Sequence, residues 1–256
     1  MKVDYFCNTN MYPQDPYSAE QEIEAIAAAI EKSGRPMVLS LSPGPAVIEK
    51  AWHLEKYANM WRITDDFWDD WKLLKAMFER CEVWQSHSGE GNWPDCDMLP
   101  MGKLGYGWAA FDAKNKGWDC KFTKEETRTM ITLWSIFRAP LMIGTDLPQL
   151  DDFNLSLLTN DEILAMNKNP YQAFQSSSSC NEDIVVWVNE CEDDISYYEC
   201  YFNLSEKPQT IKINLTIGKD DNIRDLWEHK DLGSKVEFVL EPHACKALKI
   251  TVTREE

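Results

Sequence analysis

The chain has 256 residues, enough for two domains with separate cores or one large one. Hydrophobic residues make up 44% and charged residues 27%, a balance that excludes a disordered chain. The formal charge of −17 repels phosphate, which excludes nucleic acid and anionic membrane surfaces as partners but points to no substrate.

From Met1 to about Pro170, strand-like runs alternate with helices. MKVDYF at Met1–Phe6 reads as a strand. Ser18 with Gln21 forms a capping box, Ile23, Ile26, Ala27 and Ile30 form an apolar stripe, and Gly34 then Pro36 close a helix over about 18–33. A strand is predicted over 37–42, a helix over about 47–59, a strand over 60–64 and a helix over about 68–80. An extended segment follows near 93–99. Thr123 and Glu126 cap a helix reaching about Arg138, PLMIGTD at 140–146 is the next strand, and helices cover roughly 155–167. Connections too long for hairpins imply parallel strands with right-handed crossovers. The five strand units fall short of the eight in a closed (β/α) barrel, which takes roughly 250 residues.

Past Tyr171 the pattern changes. The polar stretch QSSSSCNED leads into short runs, DIVVWVN, ISYYECYFN, QTIKINLTI, NIRDLWE, KVEFVLE and CKALKITVT, separated by turn residues. That is the signature of an antiparallel all-β sandwich. The expected division is therefore α/β over 1–170 and all-β over 171–256. Trp187 and Trp227 fall in the β part, where strand tryptophans belong to the core more often than to a sugar platform. Eight cysteines contain no C-x-x-C pair, so no structural zinc site is expected from them; Cys191 and Cys200 are placed either to pair or to stay free thiols. No stretch approaches the ~20 apolar residues of a membrane span.

Active sites of barrels form at the carboxyl ends of the strands, and carboxylates recur there. Lys2 and Asp4 are two apart, so an ammonium and a carboxylate share one face of the first strand. Arg62 is followed by Asp66 after the third strand, and Asp95 and Asp97 share a face further on. Taken singly each is weak, because acids at helix starts, such as Asp65, Asp66, Asp69 and Asp70, are expected as caps or for the helix dipole alone.

The combination is more specific. KVD at Lys2–Asp4, WRITDDFWDDW at Trp61–Trp71, WPDCDMLPMG at Trp93–Gly102 and LWSIFRAPLMIGTDL at Leu133–Leu147 occur in order. Together they resemble glycoside hydrolase family 27, the α-galactosidase and α-N-acetylgalactosaminidase family. The resemblance implies the C-terminal part of a (β/α)8 barrel followed by a β-sandwich. It also implies a retaining double displacement with Asp4 as nucleophile and Asp66 as general acid/base. Lys2, Arg62, Asp97 and Met98 match positions that contact the sugar. Ser42 stands where α-galactosidases often have a Glu at the sugar's 2-position and the N-acetylgalactosaminidase branch has a Ser; a strand-end Ser capping a turn is the alternative. A carbohydrate is the implied partner, no metal or organic cofactor is implied, and the implied setting is extracytoplasmic.

The family barrel begins before its nucleophile strand, so the resemblance implies that a preceding half barrel, or a second copy in a homo-oligomer, completes the structure. Two functions follow: an exo-hydrolase releasing terminal α-D-galactose or a related sugar, or a non-catalytic homologue that at most binds carbohydrate.

Overall fold

The structure is a computed structural model that describes residues 1–4, 14–15, 17, 19–106, 114, 116–176, 183–193, 195–215 and 221–252. Tyr5 and Phe6, expected to extend the first strand, lie outside the described residues, as do Ser18, 216–217 and Thr253. The expected Ser18–Gln21 capping box does not start the first helix, which begins at Glu20 with Ala19 at its N-cap and no side-chain cap bond.

Strands β1 (Lys2–Asp4), β2 (Ser40–Ser42), β3 (Met60–Arg62) and β4 (Trp93–Asp95) form a parallel sheet in that order. Helices α1 (Glu20–Ser33), α2 (Ala51–Tyr57) and α3 (Trp71–Trp84) connect them. Gly34 ends α1 in the left-handed conformation, φ 63°, which costs a residue without Cβ nothing. Helix α3 starts later than its periodicity suggests because Asp70 caps it, accepting from the Lys72 amide. Leu74, Met77, Phe78, Cys81 and Trp84 bury its inner face.

The segment expected as one strand over 93–99 is divided. β4 stops at Asp95, and β5 (Leu99–Pro100) pairs in parallel with β8 (Ile143–Gly144). Between them Asp97 adopts φ 72°, and its amide donates to Asp95 Oδ1 at 2.8 Å. That side-chain turn diverts the backbone from the ladder. A short ribbon, β6 (Lys103–Leu104) with β7 (Trp118–Asp119), follows.

Helix α4 (Lys124–Phe137) carries the expected capping box, with Thr123 and Glu126 each bonded to the other's backbone amide. It is buried along nearly its whole circumference, because it lies between the parallel region and the β domain. Its hydroxyls are satisfied within that setting: Thr129 donates to the His243 carbonyl and Thr132 to the Arg128 carbonyl, both at 2.7 Å. Helices α5 (Asp152–Leu158) and α6 (Asp161–Asn167) complete the α/β part.

The β part holds a six-stranded antiparallel sheet in the order β14, β13, β16, β11, β10, β9. These are Lys230–Gly233, Asn222–Asp225, Cys245–Thr251, Ser196–Asn203, Ile184–Glu190 and Ala173–Gln175. A ribbon of β12 (Gln209–Asn214) and β15 (Lys235–Leu240) packs on one face. β9 and β14 were not among the predicted strands. Along β10 the alternation is clear: Val185 and Trp187 join the core shared with the helices, whereas Ile184, Val186 and Val188 pack with Leu240, Ile211 and Phe238 of the ribbon. Trp187 is fully buried against Phe137, and Trp227 packs on the same core and donates to Thr132 Oγ1 at 3.0 Å, so neither is an open platform. Cys191 and Cys200 are free thiols; Cys200 is buried with its sulfur on Met166. No described helix is long and apolar enough to cross a membrane.

Candidate active site

Parallel pairing sets four strand ends side by side. Asp4 aligns with Ser42, and Arg62 with Asp95. Each is the last residue of its strand, so their side chains gather at one rim. Lys2 Nζ stands 3.9 Å from Asp4 Oδ1, as the two-residue spacing requires. A cleft of about 440 Å³ opens there, lined by Lys2, Asp4, Ser42, Arg62 and Asp66, with Gly44 and Asp65 beside them.

Arg62 organises the rim. Its guanidinium is buried and donates from Nη1 to Asp66 Oδ1 at 2.6 Å and pairs from Nη2 with Asp97 Oδ1 at 2.9 Å. Asp97 is tied further: Oδ2 accepts from the Phe67 amide at 2.8 Å, and its carbonyl accepts from Trp134 Nε1 at 3.0 Å. The buried face of Asp97 thus holds Arg62, and Arg62 holds Asp66, whose side chain remains 78% exposed to the cleft. Burial pushes the Asp95 carboxyl upward from its ordinary value, although the Asp97 amide bonded to it acts the other way.

The acidic run splits by role. Asp70 caps α3, and Asp69 is buried, accepting from Trp118 Nε1 at 3.1 Å and the Lys121 amide at 2.8 Å. Asp65 and Asp66 face the cleft. Met98 does not join the others. It lines a second cleft of about 470 Å³ with Trp68, Gly144, Thr145 and Asp146. A Cβ at Gly144 would stand 2.5 Å from Met98 Sδ, so a larger residue there would push the Met98 side chain aside. Asp95 and Asp97, expected to share one face of a strand, instead form a turn in which Asp95 accepts from the Asp97 amide, and Asp95 aligns with Arg62 across the sheet.

Residues 1–169 match the family described as alpha galactosidase A, and residues 181–250 match the alpha galactosidase C-terminal beta sandwich domain. The chain belongs to glycoside hydrolase family 27, the α-galactosidase family. Its fold is that of the family's C-terminal part, parallel α/β followed by an antiparallel sandwich. The GH27 β-L-arabinopyranosidase of Geobacillus stearothermophilus is 40% identical and superposes with a TM-score of 0.87 over 100% of this chain and 58% of that one. A variant of that enzyme in complex with arabinose is also 40% identical, with a TM-score of 0.86 over 98% of this chain and 58% of the other. Alpha-galactosidase 2 of Arabidopsis thaliana is 27% identical over 258 aligned positions, 98% of this chain and 59% of that protein. The chain thus spans somewhat more than half the length of these family members.

Proposed function

We propose that the rim cleft belongs to a retaining exo-glycosidase acting on terminal α-D-galactopyranosides or β-L-arabinopyranosides, with the catalytic groups in 1–170 and a packing domain in 171–256. One observation carries the reading: Asp4, at the end of β1, and Asp66, in the loop after β3 of the same parallel sheet, line the same solvent-reached cleft. Two carboxyl groups flanking one sugar-sized space are what double displacement requires.

In the first step the Asp4 carboxylate attacks the anomeric carbon while Asp66 gives its proton to the glycosidic oxygen. The carbon–oxygen bond breaks, the aglycone leaves as an alcohol, and the sugar is esterified to Asp4. In the second step water attacks the same carbon, its proton passes to Asp66, and Asp4 is released as carboxylate. Arg62, clamped by Asp97, positions Asp66, and Lys2 and Ser42 supply sugar contacts; Asp97 acts through Arg62, and Met98 lies outside this cleft. The two sugars share ring stereochemistry and differ in the exocyclic hydroxymethyl group, and relatives named for each activity match the chain.

The test is hydrolysis of aryl α-D-galactosides and aryl β-L-arabinopyranosides, with proton NMR of the first-formed anomer. Retained configuration and loss of turnover in Asp4→Asn are expected. Asp66→Asn should cost about 10²–10⁴-fold on alkyl glycosides and less on aryl glycosides whose phenol leaves without protonation. Turnover surviving in Asp4→Asn, or an inverted product, overturns the assignment. A second reading, carbohydrate binding without turnover, draws on how open the cleft is: the Asp4 side chain is 58% exposed. Calorimetric sugar binding with no hydrolysis would establish that reading instead.

A further inference from the structure

Away from the rim, α1 and α2 bring together a second polar group that the proposed chemistry does not use. Glu20 and Glu24 are four apart at the start of α1 and so share a face. His53, in α2, is fully buried beneath them. Its Nδ1 is 2.8 Å from the Tyr17 hydroxyl. Its Nε2 makes no hydrogen bond among the described residues, yet points at Glu24 Oε1 at 3.4 Å and Glu20 Oε1 at 3.9 Å.

A buried imidazole nitrogen facing two carboxylate oxygens, too far for a good hydrogen bond, is electrostatically incomplete. With Nδ1–H donating to the Tyr17 oxygen, Nε2 presents a lone pair, and three electron-rich atoms converge on one point. All of these ligand atoms lie within 4.8 Å of one another. Ligands bound at about 2.0–2.1 Å in a tetrahedron stand about 3.4 Å apart. The His53–Glu24 separation has that value, and the Glu20 oxygen stands at 3.9 Å.

We propose that Glu20, Glu24 and His53 form a binding site for a divalent transition ion of the zinc class, with water as the remaining ligand. Imidazole together with carboxylate favours such ions over calcium or magnesium, which prefer all-oxygen sets. Tyr17 is the outer partner: its hydroxyl oxygen can accept from Nδ1–H, the tautomer in which Nε2 is free to bind the ion. Lys50 bonds the other Glu20 oxygen at 3.2 Å, which offsets part of the negative charge while leaving Oε1 directed at His53. The ion would clamp α1 to α2. The other such group among the described residues, Asp161, Glu162 and His229, is not equivalent, because Arg224 already occupies both Glu162 oxygens.

The test uses the full 256-residue chain, freed of metal with EDTA and titrated with zinc by calorimetry. One equivalent should bind, and melting temperature should rise with zinc but not with magnesium. Glu24→Gln, on the exposed side of the site, should melt like the unsubstituted chain in EDTA, fail to rise with zinc and bind at least tenfold more weakly. Tyr17→Phe should weaken binding about 10–100-fold. Cobalt(II) should give d–d bands without a thiolate charge-transfer band, which separates this site from the cysteines. No stoichiometric binding, binding unchanged in Glu20→Gln/Glu24→Gln, or a thiolate band overturns the proposal.

Discussion

Two arginines of this chain each hold two carboxylates, and they differ in what surrounds them. Arg62 joins Asp66 and Asp97 with its side chain 8% exposed; Arg224 joins Glu162 and Asp231 with its side chain 32% exposed. The charges and distances are alike. At the rim, however, Asp97 is itself buried and bonded by the Phe67 amide, so the guanidinium has no solvent alternative. At the domain junction, Asp231 reaches water and His229 also bonds Glu162. The same ionic motif therefore positions a cleft residue in one place and fastens α6 to β13 in the other. Burial decides which.

Removing one member from each cluster breaks the comparison open. Arg62→Ala leaves the Asp97 carboxylate buried without its cation, and should cost about 3–5 kcal/mol in urea unfolding. It should also release Asp66 from its position. A loss no larger than that of an exposed pair would mean the rim cluster is as wet as the junction.

Glu162→Gln should cost less, and its effect should depend on pH. Hydrogen bonds from Arg224 hold the Glu162 carboxyl below its ordinary value of 4.5. A depressed acid contributes stability above that ordinary value and loses it as pH falls through the folded one. The gap in urea midpoint between the unsubstituted chain and Glu162→Gln should therefore be open at pH 7 and close in acid. A gap that widens on acidification would reverse the argument.

The smallest effect should have the opposite sign. Burial raises the Asp95 carboxyl above its ordinary 3.8, so its favourable contribution is complete below that value and is lost as pH rises through the folded one. Asp95→Asn keeps an oxygen for the Asp97 amide and removes the buried charge. The variant should gain slightly at pH 7, with the difference vanishing below about pH 3.8. Destabilisation at pH 7 would show that Asp95 serves as a partner to Lys2 or Arg62 more than as a turn former.

How much could be read in advance varies with range. The Thr123–Glu126 box formed as spaced, and Gly34 closed α1, because each depends on residues three or four apart. DIVVWVN is almost continuously apolar for a reason visible only in the fold: alternate residues of β10 face two different partners, helices on one side and ribbon on the other. The break after Asp95 was missed because a short-range turn through Asp97 overrode strand propensity. Among Asp65, Asp66, Asp69 and Asp70 no local rule chooses. Asp69 turned inward because Trp118 and Lys121, far along the chain, offered donors.

The amino-acid order alone determined the α/β-then-all-β division of fold class, the Thr123–Glu126 cap and the Gly34 stop, and the motifs that put Asp4 and Arg62 at strand ends. Those features come from hydrophobic period, caps and strand parity, all set within a few residues. Tertiary structure alone decided that Asp4 and Asp66 share a cleft while Met98 lines another, and that His53 lies sealed beneath Glu20 and Glu24. Convergence of that kind depends on burial by chain segments remote in sequence, and local spacing carries no record of it.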